Sequence, residues 1–524
     1  MKPNPKLSYA IAAILSGSGM GMGMGIGTAR AAAATDTTDS EAIAEVTVTA
    51  QRRSESIQSV PITIQAITGD QLKQLNVVNF NDLLKYTPNV TYSGNGPGTG
   101  NIFIRGLGLV GSGNQSQSTT APFPNVALYL DDQSMQFPAR NVDVYLVDME
   151  RVEVLEGPQG TLFGGGAQAG AIRYITNKPK LGVTEGAANA AYGVTAGGDP
   201  NNSSNVTINL PFGDNLALRG VIFTEHQGGY ISNVPDTIAV PPVTVPGGPP
   251  LRPGSPSVPN AGVTGSNLNT MQYGGARLSA LFKVNDDWDV LVQQNYQRSE
   301  ADGYFYEYPI DPNGQPLGNH QITAFTPAFN KDAYESTAWT VNGRIGDLLK
   351  VVYTGSYMDR HIDGQQDYSN YMRSRHGAYY ACSGAGAGYA YFRSAKPTTC
   401  YPPVGSWRDQ VRNTHQSHEF RVSTNEDYRL RGLVGAFWEK FSLYDDMNFN
   451  YMPIPQCSPA NLAVSLAGGP DCVTTVGPVL PGYFVGTPGY RTNTNTAFGE
   501  DDLRGYKQLA FFGSVDFDLV PKVL

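Results

Sequence analysis

Few residues of this chain are spaced to do covalent chemistry. His415 and His418 lie three positions apart, and on a strand that spacing sends them to opposite faces. They read as surface or interior residues, not as a metal pair. The run Gly164-Gly165-Gly166-Ala167-Gln168-Ala169-Gly170-Ala171 could suggest a phosphate-cradling loop. It lacks the Lys and Ser/Thr of such a loop, and no acid follows at dinucleotide spacing. It reads as turns with close backbone packing. Asp131-Asp132 is one acidic pair without ligand spacing, and reads as a hairpin tip. No G-x-S-x-G or H-E-x-x-H occurs, and no Ser/His/Asp grouping stands out. The four cysteines form two local pairs, Cys382 with Cys400 and Cys457 with Cys472, in segments rich in Gly, Pro, Tyr and Ser. No C-x-x-C occurs, and none of the six histidines is close to a cysteine in the sequence. Two loop-stapling disulfides in an oxidising compartment are expected. No metal, cofactor or catalytic constellation is.

The elements follow from composition and pattern. Charged residues make up 15% of the chain, against a usual ~25%. Lys plus Arg number 36 and Asp plus Glu 45, giving a net charge of -9, which argues against a nucleic-acid partner that needs a basic face. Tyrosine (29) outnumbers Phe (21) and Trp (4). Met1 to Lys6 carries two lysines and no acid, Leu7 to Ile26 is apolar and small, and Thr28-Ala29-Arg30-Ala31 ends in A-x-A. This predicts a secretory signal over 1–34, with cleavage near Ala31. Past residue 30 no apolar run reaches the ~18 residues of a membrane helix.

After residue 186 the chain reads as a ladder of hairpins. Ala276, Leu278, Ala280, Phe282 and Val284 share one face, against Arg277, Ser279 and Lys283. Trp339, Val341, Gly343 and Ile345 oppose Thr340, Asn342 and Arg344, and similar rows recur to Phe517. Period-two alternation is the half-buried strand signal, and ten such strands are counted. Short turns alternate with long stretches at 227–270, 301–333, 363–414 and 443–505. A transmembrane barrel has this rhythm, with short turns at one rim and long loops at the other. Hydrocarbon offers the backbone no hydrogen-bond partner, so a spanning sheet must close on itself. Tyr273, Tyr296, Tyr428 and Tyr506, near strand ends, would suit interfacial girdles.

Residues 60–181 form a different module, a small α+β domain. Val60 to Thr68 is one strand. Thr68-Gly69-Asp70-Gln71 fits a capping box opening a short helix, and Asn79 opens another, stopped by Pro88. Further strands are expected at 101–105, 125–130, 151–155 and 171–176.

Here the residues carry a resemblance. The stretch VPITIQAITGDQLKQLNVVNFNDLLKYTPNV, then IFIRGLG, VALYLDDQ and DMERVEVLEGPQGTLFGGGAQAGAIRYITNKP, resembles the plug domain of TonB-dependent outer-membrane receptors. The block RVEVLEGPQGTLFG is the most specific part. Glu45-Val46-Thr47-Val48-Thr49-Ala50 resembles the family's TonB box. A V-T-V-T run alone is more often just a strand; its position between a leader and a plug supports the stronger reading. The resemblance implies a mainly β protein: a periplasmic segment over 35–59, a plug over 60–181, and an antiparallel transmembrane β-barrel from 186 to 524. Family barrels have 22 strands, so ten leave the barrel incomplete. The C-terminal half is expected to lie outside this sequence, leaving an unpaired edge. The family motif usually carries a basic residue where Glu156 stands before Gly157-Pro158. A buried arginine at Arg105-Gly106 or Arg151 would need a carboxylate such as Glu153 or Glu156, and Gly160 closes the same block.

The implied function is energised import across the outer membrane of a Gram-negative bacterium. A substrate, most commonly a ferric siderophore, would bind between the long loops and the plug. Oligosaccharides, vitamin B12 and aromatic compounds are the alternatives, and an outer-membrane enzyme or a passive porin would be readings of another class. The module at 60–181 argues against the porin. Loop aromatics are candidate contacts: Tyr304, Phe305, Tyr306, Tyr308, Tyr379, Tyr380, Tyr389 and Tyr391. The implied partners are TonB with ExbB and ExbD, and outer-membrane lipid. Residues 45–50 would be extended and mobile, and would add as a strand to TonB.

Overall fold

A computed structural model describes residues 46–524 apart from 54, 59, 109–121, 139, 243, 245, 247–252, 374–380, 384–398, 426–427, 454–495 and 520–524. The expected signal, Glu45, Tyr379, Tyr380, Tyr389, Tyr391, Cys457 and Cys472 lie outside the described residues.

The first module is built by local rules. Its strands are β1 (Thr47–Val48), β2 (Glu55–Ser56), β3 (Thr63–Thr68), β4 (Val90–Ser93), β5 (Asn101–Ile104), β6 (Val126–Leu130), β7 (Gln133–Ser134), β8 (Met149–Glu156) and β9 (Gly170–Thr176). Thr68 accepts from the Gln71 backbone N–H while the Gln71 side chain accepts from the Thr68 N–H. That reciprocal cap starts helix α1 (Gly69–Gln74). The Asn79 side chain accepts from the Asp82 N–H and starts α2 (Phe80–Leu84). A third short helix is α3 (Gly160–Phe163). Five strands form one sheet in the order β3-β8-β9-β6-β7, with β6 and β9 parallel. Leu72, Phe80, Leu83, Val126, Leu128, Val152, Val154 and Ile172 fill its main core. Gly170 (φ +154°) has to lack a side chain, because a Cβ there would sit 2.3 Å from the Leu155 carbonyl oxygen.

The second module is a ten-stranded antiparallel sheet in sequence order. Its strands are β10 (Glu185–Val194), β11 (Pro200–Phe212), β12 (Leu216–Gln227), β16 (Thr270–Lys283), β17 (Trp288–Asp302), β19 (Phe329–Ile345), β20 (Leu349–Asp367), β23 (Gly405–Thr424), β24 (Leu430–Tyr451) and β25 (Thr496–Phe517). Small ladders stand over the long connections: β13 (Ser232–Asn233), β14 (Thr237–Ile238), β15 (Val258–Pro259), β18 (Gln321–Ile322), β21 (Cys382–Ser383) and β22 (Thr399–Cys400), with helix α4 (Ser369–Arg373). The register explains the sequence rows. Phe212, Leu216, Phe282, Val290, Val341, Tyr353, Phe420, Ala436 and Phe511 are successive cross-strand partners, one apolar row across nine strands. The facing side is polar and turned to the first module, with Asn209, Arg219, Ser279, Gln293, Ser336, Asn413 and Glu439 buried there. An apolar outer face and a polar inner one are what a bilayer on one side and a filled bore on the other require. Among the described residues no helix is long and apolar enough to cross a membrane. Strands β10 and β25 are the sheet's two edges and do not pair with each other.

Two girdle tyrosines are corrected. Tyr273 is buried and points inward, and the Tyr506 ring stacks on the inward Phe441. Tyr273 is three residues from outward Ala276, so alternation alone puts it on the other face. Tyr296 and Tyr428 are exposed. His415 is buried and within 2.7 Å of Glu439, while outward His418 stacks on Tyr353, as opposite faces demand.

Candidate functional site

Residues 46–53 lie against the base of the plug sheet. The run is extended, as expected, with Thr47–Val48 in β1, and it is seated against the plug. Val48 and Ala50 are 0% and 1% exposed, in a pocket with Val60, Ala127, Tyr129, Leu155, Phe163 and Ala171. β1 pairs with β2, so the segment folds back on itself. The physical reason is that Val48 and Ala50 alternate with Thr47 and Thr49, so one side of the run can be buried.

A buried ionic cluster holds the run in place. Glu153 on β8 stands opposite Arg173 on β9, and the Glu153 side chain is 0% exposed. Arg173 Nη1 donates to Glu153 Oε2 at 2.7 Å, and Arg151 Nε donates to Glu153 Oε1 at 2.8 Å. The same carboxylate accepts the Thr49 backbone N–H at 2.8 Å. Arg173 Nη1 also donates to the Thr49 carbonyl oxygen at 2.8 Å and to its hydroxyl at 2.7 Å. Thr49 is therefore gripped at both main-chain groups. Charge-assisted bonds in a buried place are the strong kind.

The cluster continues to the wall through the next residues. Arg52 Nη1 donates to Asp132 at 2.5 Å, and its guanidinium lies 4.6 Å from the Phe163 ring centroid. Arg52 is 3.6 Å from Glu419 on β23, and Arg421 of the same strand reaches Asp132 at 3.4 Å. Arg53 Nη1 donates to Asp516 on β25 at 2.9 Å. Burial alone would raise the Asp132 carboxyl; Arg421, Arg52 and Arg173 outweigh burial and hold it well below the usual carboxylate range. For Arg173 burial dominates and lowers the guanidinium despite Glu153.

A second set of contacts ties the plug segment 140–148 to the wall. Having no strand partner there, its backbone uses wall side chains. Gln297 Nε2 donates to the Asp143 carbonyl at 2.6 Å, and the Tyr145 N–H donates to Gln297 Oε1 at 2.9 Å. Arg360, 0% exposed, donates to Asp332 at 2.9 Å and to the Asn141 carbonyl at 3.1 Å, over the Phe137 ring. Arg219 holds Asp148 by two bonds of 2.7 and 2.6 Å.

Asp143 accepts from Tyr273 at 2.6 Å and from the Phe80 N–H at 3.3 Å. Burial nevertheless pushes its carboxyl from 3.8 up to about 6. The native state holds this proton more tightly than the unfolded chain does. The group's stabilisation is therefore complete below its unfolded value and is lost as pH rises through its folded one. The fall over that window is about 3 kcal/mol from two pKa units. Denaturant melts of the detergent-solubilised chain at several pH values between 4 and 6.5 are expected to lose this slope in Asp143→Asn. An unchanged slope would show that Asp143 is not its source.

The other anticipated residues fall as follows. Arg105 pairs with Glu156 at 2.8 Å, and Asn89 donates to the same carboxylate. The acid at position 156 thus has a local cation. Arg151 pairs with Glu153, as above. Gly106 (φ +76°) and Gly157 (φ +94°) turn the chain in the left-handed region, and Gly160 begins α3. Tyr304 is 2% exposed and donates to the Thr326 carbonyl, so it is loop core and not an open contact. Tyr306 lies between Tyr304, which it meets edge to face, and Tyr308, whose ring is tilted against it. Cys400 is disulfide-bonded, and the β21–β22 ladder sets Cys382 opposite it. The reading from sequence missed Arg52, Arg53, Asp132, Arg173, Glu419 and Arg421. The signals available were Arg52-Arg53, two residues past the V-T-V-T run, and the Asp131-Asp132 pair. Among the described residues no cluster of His, Cys, Asp and Glu could hold a metal. The arrangement is mechanical: a short segment latched under a plug, with the latch wired to the wall.

Comparison with known proteins matches this architecture. Residues 56–171 match the family model described as TonB-dependent Receptor Plug Domain. The ferric-pyoverdine 358 receptor of Pseudomonas putida is 29% identical over 134 residues, 26% of this chain and 15% of that receptor. The iron-regulated outer membrane virulence protein of Vibrio cholerae is 32% identical over 137 residues, 25% of this chain and 20% of that protein. The crystal structure of the ferric yersiniabactin uptake receptor FyuA from Yersinia pestis superposes with a TM-score of 0.55 at 13% identity, over 88% of this chain and 62% of that one. The chain thus spans less than two thirds of the length of each. Residues 56–171 are thus a TonB-dependent receptor plug domain, and the ten-stranded sheet beside it has the fold of that uptake receptor.

Proposed function

We infer that the protein takes part in energised uptake of a ferric siderophore across the outer membrane. The observation that carries this is the latched run Val46–Ala50, whose grip by Glu153 and Arg173 continues through Arg52 and Asp132 to wall strand β23. The outer membrane holds no ATP and little usable ion gradient, so work on the plug has to come through a physical link to the inner membrane. Residues 45–50 serve as that link when Val46–Ala50 leave their seat and the run adds as a strand to TonB, driven by ExbB and ExbD. The substrate binds between the long loops and the outward side of the plug. The names of the Pseudomonas and Yersinia relatives, both receptors for ferric siderophores, favour that substrate class. No covalent step is assigned to the chain, and the relatives are transport receptors.

The test is accumulation of a radiolabelled ferric siderophore by cells that depend on this protein, with and without a protonophore. Uptake is expected to fall to background on de-energisation while binding to the cell surface persists. Labelled cobalamin and a labelled oligosaccharide serve as rival substrates. Uptake of a rival alone would overturn the siderophore assignment, and uptake indifferent to the protonophore would overturn energised import.

A further inference from the structure

The three long connections at 228–269, 303–328 and 368–404 rise from separate hairpins of the sheet. Long surface loops are commonly the mobile parts of a fold. Here they are fastened to one another through a short run of the middle one, Ile322–Thr326. Ile322 and Thr323 are 0% exposed and Ala324 1%. The first connection holds this run from one side. Its strand β13 pairs with β18 in parallel, and the Val234 N–H donates to the Ile322 carbonyl at 3.0 Å. Asn233, 2% exposed, uses all of its amide there. Its Nδ2 donates to the Ala324 carbonyl at 3.0 Å and to the Val263 carbonyl at 2.9 Å, while Oδ1 accepts the Ala324 N–H at 2.9 Å. Asn260 Nδ2 donates to the same Ala324 carbonyl at 3.1 Å. The two asparagines thus do what a neighbouring strand does, closing both main-chain groups of Ala324.

The third connection holds the run from the other side. Asp367, where β20 ends, accepts the N–H groups of Phe325 and Thr326, both at 2.7 Å, and the Ser369 N–H at 2.9 Å. Bonds to a carboxylate are the stronger kind. Asn370 of α4 donates to the Thr323 carbonyl at 3.3 Å. Ser369 Oγ donates to the Gly405 carbonyl and accepts the Gly405 N–H, which ties α4 to the start of β23. Val240 of the first connection packs into the cluster of Tyr368, Met372 and Trp407. The run Thr323–Thr326 therefore sends its main-chain bonds to side chains of two other connections. A buried main-chain group left without its partner costs about 1–3 kcal/mol. Lifting either neighbour alone would strand several such groups at once.

We propose that the three connections move as one body, a preformed collar on the long-loop rim of the wall. Asn233 and Asp367 are its positioning residues, clamping Ile322–Thr326 between its neighbours. The collar itself requires no particular cargo. One consequence rests on the uptake reading: a compound arriving from outside meets a mouth already in shape, and no ordering of single loops opposes its binding.

The experiment is amide hydrogen exchange of the full chain in detergent micelles, followed by mass spectrometry over a denaturant series. No cargo is added, so failure of the uptake reading leaves the outcome untouched. In the wild type the amides of Asn233–Val234, Ala324–Thr326 and Ser369–Met372 are expected to open with one free energy and one denaturant slope, as a single cooperative unit does. Asn233→Ala, made in the first connection, is expected to speed exchange of the Ser369–Met372 amides in the third by roughly tenfold, the effect of one hydrogen bond lost from a shared opening. Asp367→Ala is expected to do the same to Asn233–Val234. Amides of Ala276–Leu281 in β16 are the control and should exchange as in the wild type, which a general loss of fold would not allow. If Asp367→Ala fails to fold, Asp367→Asn keeps the size, removes the charge and is read in the same way. Three different opening free energies in the wild type overturn the collar. Faster exchange confined to the connection that carries the substitution overturns it too, and leaves three loops that move separately.

Discussion

Glu153→Ala is expected to destabilise the folded chain by about 3–5 kcal/mol, the usual cost of breaking a buried ion pair from one side. The carboxylate is 0% exposed, and its removal strands two guanidiniums that are 8% and 4% exposed. Arg151 keeps the half-exposed Glu150, and Arg173 keeps Asp132 at 3.5 Å. Neither replaces a central carboxylate that also held the Thr49 N–H. The same change should release the latch. Arg52 and Arg53, now 9% and 6% exposed, become sites for trypsin. A denaturant melt and a timed digest of the detergent-solubilised chain measure the two effects. The triple variant Glu153→Leu/Arg151→Leu/Arg173→Met separates them. It strands no charge, so stability should largely return, while cleavage at 52–53 stays fast because nothing grips Thr49. A melt and a digest both matching wild type in Glu153→Ala would mean that the cluster carries no weight.

Val48→Pro is expected to bring energised uptake down to background, with surface binding of the substrate retained. Strand addition relies on main-chain donors, and proline has none. Val48 also packs at 0% exposure in the seat and pairs with Glu55 across the β1–β2 ladder, so proline should loosen the latch too. Val48→Ala distinguishes the two consequences. It keeps the N–H while giving up packing, and should retain most uptake. Uptake at the wild-type rate in Val48→Pro, measured in cells that make all the partners, would dismiss strand addition at this segment. Loss in both variants would instead place the effect in the seat.

Much of the architecture was legible because strands advertise themselves locally. Alternation at Ala276–Val284 and Trp339–Ile345 requires only that one face be apolar, whatever the neighbours are, and both segments lie in strands. The caps at Thr68 and Asn79 are contacts across three residues and could be read directly. Residue type and a place at a strand end point Tyr273 to the girdle, whereas its parity with Ala276 points it inward, and parity decides. Tyr304 was offered as a contact, yet its hydroxyl is spent within its own loop on Thr326. Residue type alone does not tell a loop's surface from its core.

By itself the sequence determined the two-module order and the hairpin rhythm with its outward apolar rows, since these depend on periodicity and on residues close along the chain, while the plug block around Arg151–Gly160 was legible through its resemblance to a family. Only the tertiary structure decided that Thr49 is held by Glu153 and Arg173, and that Arg52 meets Asp132 and Glu419. The physical reason is distance along the chain. Thr49 and Glu153 are 104 positions apart. Periodicity says which face a side chain takes, whereas an ion pair depends on which strands lie side by side and in what register.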